Sequence, residues 1–366
     1  MSIIADENMA ALAPLFADYG DIKTFPGRDI DPHHVDDSTK VMLLRSVTKV
    51  DAALLDAAPN LEFIGTATIG TDHFDIPQIE ERRVRWSNAP GCNAQGVGEY
   101  VLSSLLLLAQ RSDEDLQTKT IGIVGLGNTG TAVARRLRAL GYTIMCCDPP
   151  RQQRGDAGQW YSLEQIIAQC DVITLHVPLS SDTFYLLDNQ RLSQLQANCW
   201  LINASRGEVI DNRALINYKQ QQPTLRLVLD VWENEPTPMM ELVALAEIAT
   251  PHIAGYSVEG KIRGSQMLHQ ALYQGKQTTP TLAELIDVEP LPVVTAPAQL
   301  EQQWLAQICA TVYDIAQEDL RFRSALPTGF DARRKANLAR REFSAQRIIG
   351  APAGMATTLS ELGFTI

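Results

Sequence analysis

The chain has 366 residues, 45% hydrophobic and 20% charged, which is apolar material for two or three packed domains and excludes a largely disordered chain. Thirty-one basic residues against 43 acidic ones give a formal charge of −12, a field that repels nucleic acid and anionic membranes, so an anionic substrate would need a local basic pocket. The longest strongly apolar run, Val101 to Ala109, is far short of the roughly 20 residues that span a bilayer, and the acidic opening MSIIADEN lacks the basic start of a secretory signal, so a cytoplasmic location is expected.

In chain order, MSIIADEN, KVMLLRSVT, LEFIGTATIGTDHFD and VRWSNAP read as short strands separated by helical stretches such as MAALAPLFADYG and DAALLDAAP. NAQGVGEYVLSSLLLLAQRS follows as a long apolar-periodic helix. IGIVGLG, NTGTAVARRLRALG and YTIMCCD then read as strand, helix, strand, with Ala132, Val133, Leu137 and Leu140 at helical spacing and Gly141 as the stop. DVITLHVPL, CWLINAS, RLVLDVW and IATPHIAG continue the alternation, with SLEQIIAQC and DNRALINYKQ between them as helices. Such alternation predicts a parallel sheet covered by helices on both faces. VEGKIRGSQMLHQALYQG is helical, and Pro280, Pro290, Pro292 and Pro297 predict a linker over 278–297. Beyond it lie the helical QQWLAQICATVYDIAQEDLRFR, the basic DARRKANLARREF and the strand-like QRIIGAP.

GLGNTG places Gly125, Gly127 and Gly130 in GxGxxG spacing directly after a strand and at a helix start. Three glycines at that spacing give a tight turn, close backbone approach to a pyrophosphate, and close helix packing. Asp148 ends the next strand, eighteen residues after Gly130, where a carboxylate binds adenosine ribose hydroxyls and disfavours a 2′-phosphate. NAD is therefore the expected cofactor.

Three further segments each follow an apolar strand: Asn203 to Gly207, Leu229 to Pro236, and Thr250 to Gly255. Residues just past the carboxyl ends of strands in an open parallel sheet face the cofactor crevice. There Arg206 is a candidate two-donor clamp for a carboxylate, and His252 with a glutamate a candidate for proton exchange with a hydroxyl. Alone, each is more simply a surface ion pair or an ordinary polar residue; their joint placement after a dinucleotide fingerprint carries the argument.

With these motifs the chain resembles the NAD-dependent D-isomer-specific 2-hydroxyacid dehydrogenases over about residues 40–270. RSVTKV, GTATIGTDH, APGCNAQGVGEYV, CDPPR, LDVWENEP and TPHIAGYSVEGKIRG resemble a branch acting on a small phosphorylated acid, and FDARRKANLARREF resembles that branch's extra C-terminal domain. Gly98 departs from the larger residues common at that helix start. The resemblance implies an α/β protein with a Rossmann-type doubly wound NAD-binding domain (94–254). It further implies a flavodoxin-like α/β substrate domain (1–93 with 255–280) and a small C-terminal α+β domain (281–366) that makes a homodimer. It casts Arg206, Glu235 and His252 as catalytic, with Arg206 on the substrate carboxylate and C2 oxygen, His252 as general acid/base and Glu235 paired with it. The cofactor would be held by Gly125, Gly127, Asn128, Thr129, Gly130, Asp148, Val177, Ser205, Asp230 (at the nicotinamide carboxamide) and Gly255. Substrate contacts would be Ser46, Thr68 and Tyr256, with Thr66 a neighbouring alternative to Thr68. The reaction implied is oxidation at C2 of a small phosphorylated 2-hydroxy acid.

Arg45, Lys49, Lys261 and Arg263 are candidates to surround the phosphate, though each is also readable as a solvated charge. Arg333, Arg334, Arg340 and Arg341 would form a basic helical face, from which one arginine would reach a neighbouring subunit's site if the tail dimerises. The six cysteines form no CxxC pair and no zinc-ligand spacing, so no metal is expected and the thiols read as buried and reduced. Alternatives are 3-phosphoglycerate dehydrogenase, another D-2-hydroxyacid dehydrogenase, or a corepressor that binds nucleotide without turnover.

Overall fold

The computed structural model describes residues 2–366, apart from the side chain of Leu338; Met1, where the first expected strand begins, lies outside the described residues. Met1–Asn93 with Val258–Glu289 form one compact unit, and Ala94–Ser257 with Pro290–Ile366 form a second.

The first unit is built on five parallel strands, β1 (Ser2–Asp6), β2 (Asp21–Phe25), β3 (Thr39–Leu44), β4 (Phe63–Thr66) and β5 (Arg85–Ser87), in the order β2-β1-β3-β4-β5. This is the flavodoxin-like order. Because side chains alternate across a strand, Ile4, Met42, Leu44 and Ile64 pack to one face. Ile3, Ala5, Val41, Leu43 and Phe63 pack to the other, against Leu268 and Leu272 of the helix Val258–Tyr273. β2 was not among the expected strands. It is an edge strand whose residues are mostly exposed, so its sequence DIKTF carries no apolar run.

In the second unit six parallel strands, β6 (Thr120–Val124), β7 (Thr143–Cys147), β8 (Val172–Leu175), β9 (Trp200–Asn203), β10 (Arg226–Leu229) and β11 (Ile248–Ala249), run in the order β11-β10-β9-β8-β6-β7. The order reverses between β6 and β8, and at such a switch point the strands' carboxyl ends open a crevice. Ile121, Ile123, Trp200, Ile202 and Val228 face one layer of helices, while Ile173, Leu175, Leu201, Leu227 and Leu229 face the other. Gly98 lies within the helix Ala94–Ser112, where a Cβ would stand 2.7 Å from Arg136 Nη1 and 3.1 Å from the Ala132 carbonyl oxygen. The glycine that weakens the helix in sequence lets it lie close against the helix Asn128–Ala139.

The expected linker holds a capped helix, Leu282–Leu285, and a strand, β12 (Val294–Thr295), which pairs in parallel with β13 (Ile348–Ile349). The single helical run expected over QQWLAQICATVYDIAQEDLRFR is two helices, Gln302–Val312 and Ile315–Ala325, divided where Asp314 caps the second. The segment after residue 290 has no apolar core of its own. Leu305, Ile308, Cys309, Leu359 and Leu362 belong to the same cluster as Val101, Leu105, Val133 and Leu137. Phe322 and Phe330 join Trp232 and Leu242 in the second cluster. That sharing explains why the C-terminal segment is continuous with the layers around the six-stranded sheet instead of standing apart as a third body. No helix among the described residues is long and apolar enough to cross a membrane.

A shared core predicts shared unfolding. Leu359→Ala, which removes a fully buried side chain, should cost about 2–5 kcal/mol. It should lower the denaturation midpoint equally for a fluorescence probe at Trp200 and one at Trp304. Separate midpoints would show that the C-terminal segment folds independently.

Candidate active site

The glycine-rich turn is built by steric necessity. Gly125 follows β6 with φ +87, and a Cβ there would lie 2.6 Å from the His176 carbonyl oxygen. A Cβ on Gly130 would lie 1.9 Å from the Gly125 carbonyl oxygen, so the helix Asn128–Ala139 starts against the turn only without one. Gly127, the N-cap, has nothing within 4 Å of a built Cβ, leaving clear space at the helix N-terminus. The first amides of that helix, at Asn128 and Thr129, have no intrahelical acceptor and suit an anion. Asp148 caps the helix Pro149–Gln153, its Oδ1 accepting the Arg151 N–H at 2.9 Å and its Oδ2 the Leu126 N–H at 2.7 Å. Each oxygen keeps a lone pair for ribose hydroxyls. Val177 stands beside Gly125. Next to it, burial pushes His176 down to about 3, so this imidazole is a neutral packing and hydrogen-bonding group, 2.8 Å from Thr174 Oγ1. The cradle, the open N-terminus and the carboxylate fit a dinucleotide.

The loops after β9, β10 and β11 carry the remaining groups. Asn203 Oδ1 accepts from Ser205 N at 3.1 Å and Ser205 Oγ at 2.8 Å, while its Nδ2 donates to the Arg206 carbonyl at 2.8 Å. Arg206 donates from Nη1 to the Ser205 carbonyl at 2.8 Å. Gly207 lies so close under the Trp232 carbonyl that a Cβ would be 2.0 Å from its carbon, which locks the Arg206 loop to the loop bearing Glu235. Glu235 Oε1 accepts the Trp232 N–H at 3.0 Å, and Oε2 lies 2.7 Å from His252 Nδ1. Burial pushes the Glu235 carboxyl up, but the charge and hydrogen bond of His252, the Arg334 guanidinium and the Trp232 amide together hold it below the usual carboxylate range. It is therefore an anion at neutral pH, and His252, 31% exposed, has Nε2 left to meet a substrate hydroxyl.

His252 has φ +57, the left-handed region that a residue other than glycine rarely occupies. Its N–H donates to the Asp230 carbonyl at 2.6 Å. The Asp230 carboxylate, 1% exposed, accepts from Thr250 Oγ1 at 2.6 Å, Ile253 N at 2.8 Å and Ala254 N at 2.8 Å. Tyr100 OH donates in turn to Thr250 Oγ1 at 2.7 Å. From the C-terminal segment, Arg340 donates to the carbonyls of Ile253 (3.1 Å), Ala254 (2.9 Å) and Gly96 (3.0 Å), and Glu342 accepts from Ser257 Oγ at 2.7 Å. Gly255 and Tyr256 continue this clamped loop.

In the first unit, Ser46 is exposed just beyond β3 and Thr68 is half-buried beyond β4. Thr66 is fully buried, its Oγ1 2.7 Å from Thr68 Oγ1 and 3.1 Å from His73 Nε2. Of the four basic residues proposed around a phosphate, Lys49 is 81% exposed in a surface pair with Asp51, and Arg263 donates to the Cys92 carbonyl at 2.9 Å. Burial, and then the Arg45 charge, push Lys261 down to about 8.

Residues 107–254 match the family model for the D-isomer specific 2-hydroxyacid dehydrogenase NAD binding domain, and residues 285–363 match a domain of unknown function, DUF3410. The chain is 47% identical to an erythronate-4-phosphate dehydrogenase of Shewanella sp. (strain W3-18-1), over 100% of this chain and 99% of the relative. The same identity and coverage hold for the erythronate-4-phosphate dehydrogenase of Shewanella loihica. The chain belongs to the erythronate-4-phosphate dehydrogenase family. Solved structures share its fold: an NAD-dependent formate dehydrogenase from Staphylococcus aureus in complex with NAD has a TM-score of 0.63 at 24% identity, covering 77% of this chain and 97% of that one. A D-lactate dehydrogenase from Aquifex aeolicus complexed with NAD and lactic acid has a TM-score of 0.63 at 21% identity, covering 75% and 95%.

Within this erythronate-4-phosphate dehydrogenase framework, the C-terminal arginines differ from the expected single basic helical face. The helix Phe330–Ala336 ends in a short turn, Asn337–Ala339, so the four do not share one helical side. Arg333 pairs with the buried Glu318, and Arg334 and Arg340 are buried in their own subunit. The motif reading also assigned no role to Asn203, Gly207, Trp232 or Thr250. Their signal was present in NASRG, LDVW and IATPH. Asn203 shapes its own loop through Ser205 and Arg206, whereas Gly207 meets Trp232 and Thr250 meets Asp230 on other strands' loops, which spacing does not show.

The glycine geometry separates packing from binding. Gly130→Ala should lower both thermal stability and NAD affinity, because its methyl meets a backbone oxygen. Gly127→Ala should leave the melting temperature unchanged while weakening NAD at least about tenfold, a loss of about 1.4 kcal/mol. Calorimetric titration with NAD alongside melting checks both; unimpaired NAD binding by Gly127→Ala would place the pyrophosphate elsewhere.

Proposed function

We propose that this chain oxidises 4-phospho-D-erythronate at C2 with NAD, giving (R)-3-hydroxy-2-oxo-4-phosphooxybutanoate in pyridoxal 5′-phosphate biosynthesis. The full-length 47% identity to erythronate-4-phosphate dehydrogenases supports the substrate, and the chemistry is carried by the 2.7 Å His252–Glu235 hydrogen bond on a clamped loop. Gly125, Gly127, Asn128, Thr129, Gly130, Asp148, Val177, Ser205, Asp230 and Gly255 are the residues that hold NAD, and NAD when bound supplies the hydride acceptor. Asp230 Oδ2 accepts one protein donor and has capacity for another, consistent with a place at the carboxamide.

Arg206 clamps the substrate carboxylate and the C2 oxygen with its planar donors, fixing the C2 hydroxyl. His252 accepts the hydroxyl proton at Nε2, and the alkoxide character that develops eases loss of the C2 hydride. Glu235 compensates the resulting imidazolium through Nδ1–H and keeps the ring oriented. In the same reading Ser46, Thr68 and Tyr256 contact the substrate, and Arg45 with Lys261 takes the phosphate. Residues 1–93 with 255–280 serve the substrate and 94–254 the cofactor. The C-terminal region 281–366 makes a homodimer, a role supported by its exposed apolar side chains Val293, Leu320, Ile349 and Ile366. Six buried cysteines without a disulfide support a reducing, cytoplasmic setting.

Initial rates of NADH formation test the reading with 4-phosphoerythronate, 3-phosphoglycerate and D-lactate, each with NAD and NADP. 4-Phosphoerythronate with NAD should give the highest kcat/KM, and His252→Ala should lose about 100- to 10,000-fold. Preference for 3-phosphoglycerate, or an active His252→Ala enzyme, would overturn it.

A further inference from the structure

Thr68 is half-buried just beyond β4, and its contacts fix the direction in which its hydroxyl points. Its Oγ1 lies 3.0 Å from the Gly70 carbonyl oxygen and 2.7 Å from Thr66 Oγ1, which in turn lies 3.1 Å from His73 Nε2. A carbonyl oxygen cannot donate, so the single hydroxyl hydrogen of Thr68 goes to Gly70. Thr68 must then accept from Thr66. With its own hydrogen used, the buried Thr66 accepts from His73, which carries a proton on Nε2. The hydrogen bonds therefore run one way, from His73 through Thr66 and Thr68 to Gly70. The reverse order would leave the Thr68 oxygen facing the Gly70 carbonyl with no hydrogen between them. Neighbouring bonds hold the segment still: the Ala67 N–H donates to the Leu44 carbonyl at 2.9 Å, the Ala89 N–H to the Thr68 carbonyl at 2.9 Å, and Asn88 Nδ2 to the Ile69 carbonyl at 2.8 Å. Thr68 thus has no hydroxyl hydrogen to offer a ligand, and a lone pair with which to receive one.

We propose that Thr68 is a specificity-determining residue that accepts the hydrogen of a free hydroxyl at C3 of the substrate, and so selects a 2,3-dihydroxy acid over a 2-hydroxy acid without that group. The inference rests on the reading of 4-phospho-D-erythronate as substrate and of Thr68 as one of its contacts. An ionised carboxylate and an ionised phosphate carry only lone pairs, which the Thr68 lone pair repels. The C2 hydroxyl hydrogen is the one that His252 takes. The C3 hydroxyl is the donor that remains. In 3-phosphoglycerate the C3 oxygen is esterified, so that acid offers Thr68 nothing to accept. Because Thr68 keeps its bonds to Thr66 and Gly70 in either case, the missing contact costs one ordinary hydrogen bond, not the larger penalty of a polar group left bare.

The test is kcat/KM for oxidation of 4-phosphoerythronate, its 3-deoxy analogue and its 3-deoxy-3-fluoro analogue with NAD, for wild type and Thr68→Val, with melting temperatures in parallel. Fluorine accepts weakly and never donates, and comparing two enzymes on one substrate cancels its effect on hydride loss at C2. Thr68→Val should lower kcat/KM for 4-phosphoerythronate about 5- to 10-fold. That penalty should vanish for both analogues, and Thr68→Ser, which returns the hydroxyl, should recover most of the preference. An equal penalty on all the substrates, or none on any, would overturn the proposal. A penalty on the fluoro analogue but not on the deoxy one would show Thr68 donating, and would overturn it as well. A wild-type enzyme that does not oxidise 4-phosphoerythronate would instead overturn the reading of the substrate, and this proposal with it. If Thr68→Val does not fold, Thr68→Ala, which removes the same hydroxyl with less bulk, is read in its place.

Discussion

The buried carboxylate of Asp230 is the constraint on which the His252 loop depends. Its two oxygens accept from one hydroxyl and two backbone amides of the segment after β11, and its own carbonyl accepts the His252 N–H. A carboxylate this deeply buried is tolerated because those donors satisfy it; removing them would leave an uncompensated charge in a low-dielectric interior. The same bonds draw the chain at His252 into the left-handed region. Backbone geometry that costs free energy on its own is maintained because the surrounding donors over-determine it.

The second anchor of that loop comes from far along the chain. Arg340 caps the carbonyls that follow His252, Glu342 takes the Ser257 hydroxyl, and both sit where the C-terminal segment shares its apolar core with the Ala94–Ser112 and Asn128–Ala139 helices. The loop is thus held from β10 by an acid and from the C-terminal segment by a base. In a chain of net charge −12 several arginines are engaged in structural networks, as Arg340 is on this loop and Arg333 on Glu318.

Much of this was legible in the sequence because the features are local. The alternation of apolar runs, the glycine spacing of GLGNTG and the acid ending the next strand each depend on residues near one another, and the parallel sheets follow from the period of the apolar positions. The family resemblance added the grouping of Arg206, Glu235 and His252, of which the structure shows Glu235 and His252 in direct contact. What sequence reasoning missed is what tertiary contact decides. β2 is an edge strand without an apolar run, two of the arginines expected on one basic helical face are buried, Arg334 on the helix after Gly329 and Arg340 beyond it, and Gly207 is required by a carbonyl 25 residues later in the chain. The prolines after residue 280 gave a correct sense of interruption but not the β12–β13 pairing, which joins segments more than 50 residues apart.

The most direct test of this account is Asp230→Asn, read by kcat/KM for NAD-dependent oxidation together with hydrogen exchange at the Ile253 and Ala254 amides. An asparagine keeps the volume but turns one acceptor into a donor facing an N–H group, at a cost of about 1.5–3 kcal/mol for a hydrogen bond to a charged group. The account predicts faster exchange at both amides and a loss in kcat/KM of at least about tenfold, the equivalent of 1.4 kcal/mol. Wild-type activity with full amide protection would contradict it, showing that the His252 loop keeps its shape without the Asp230 carboxylate.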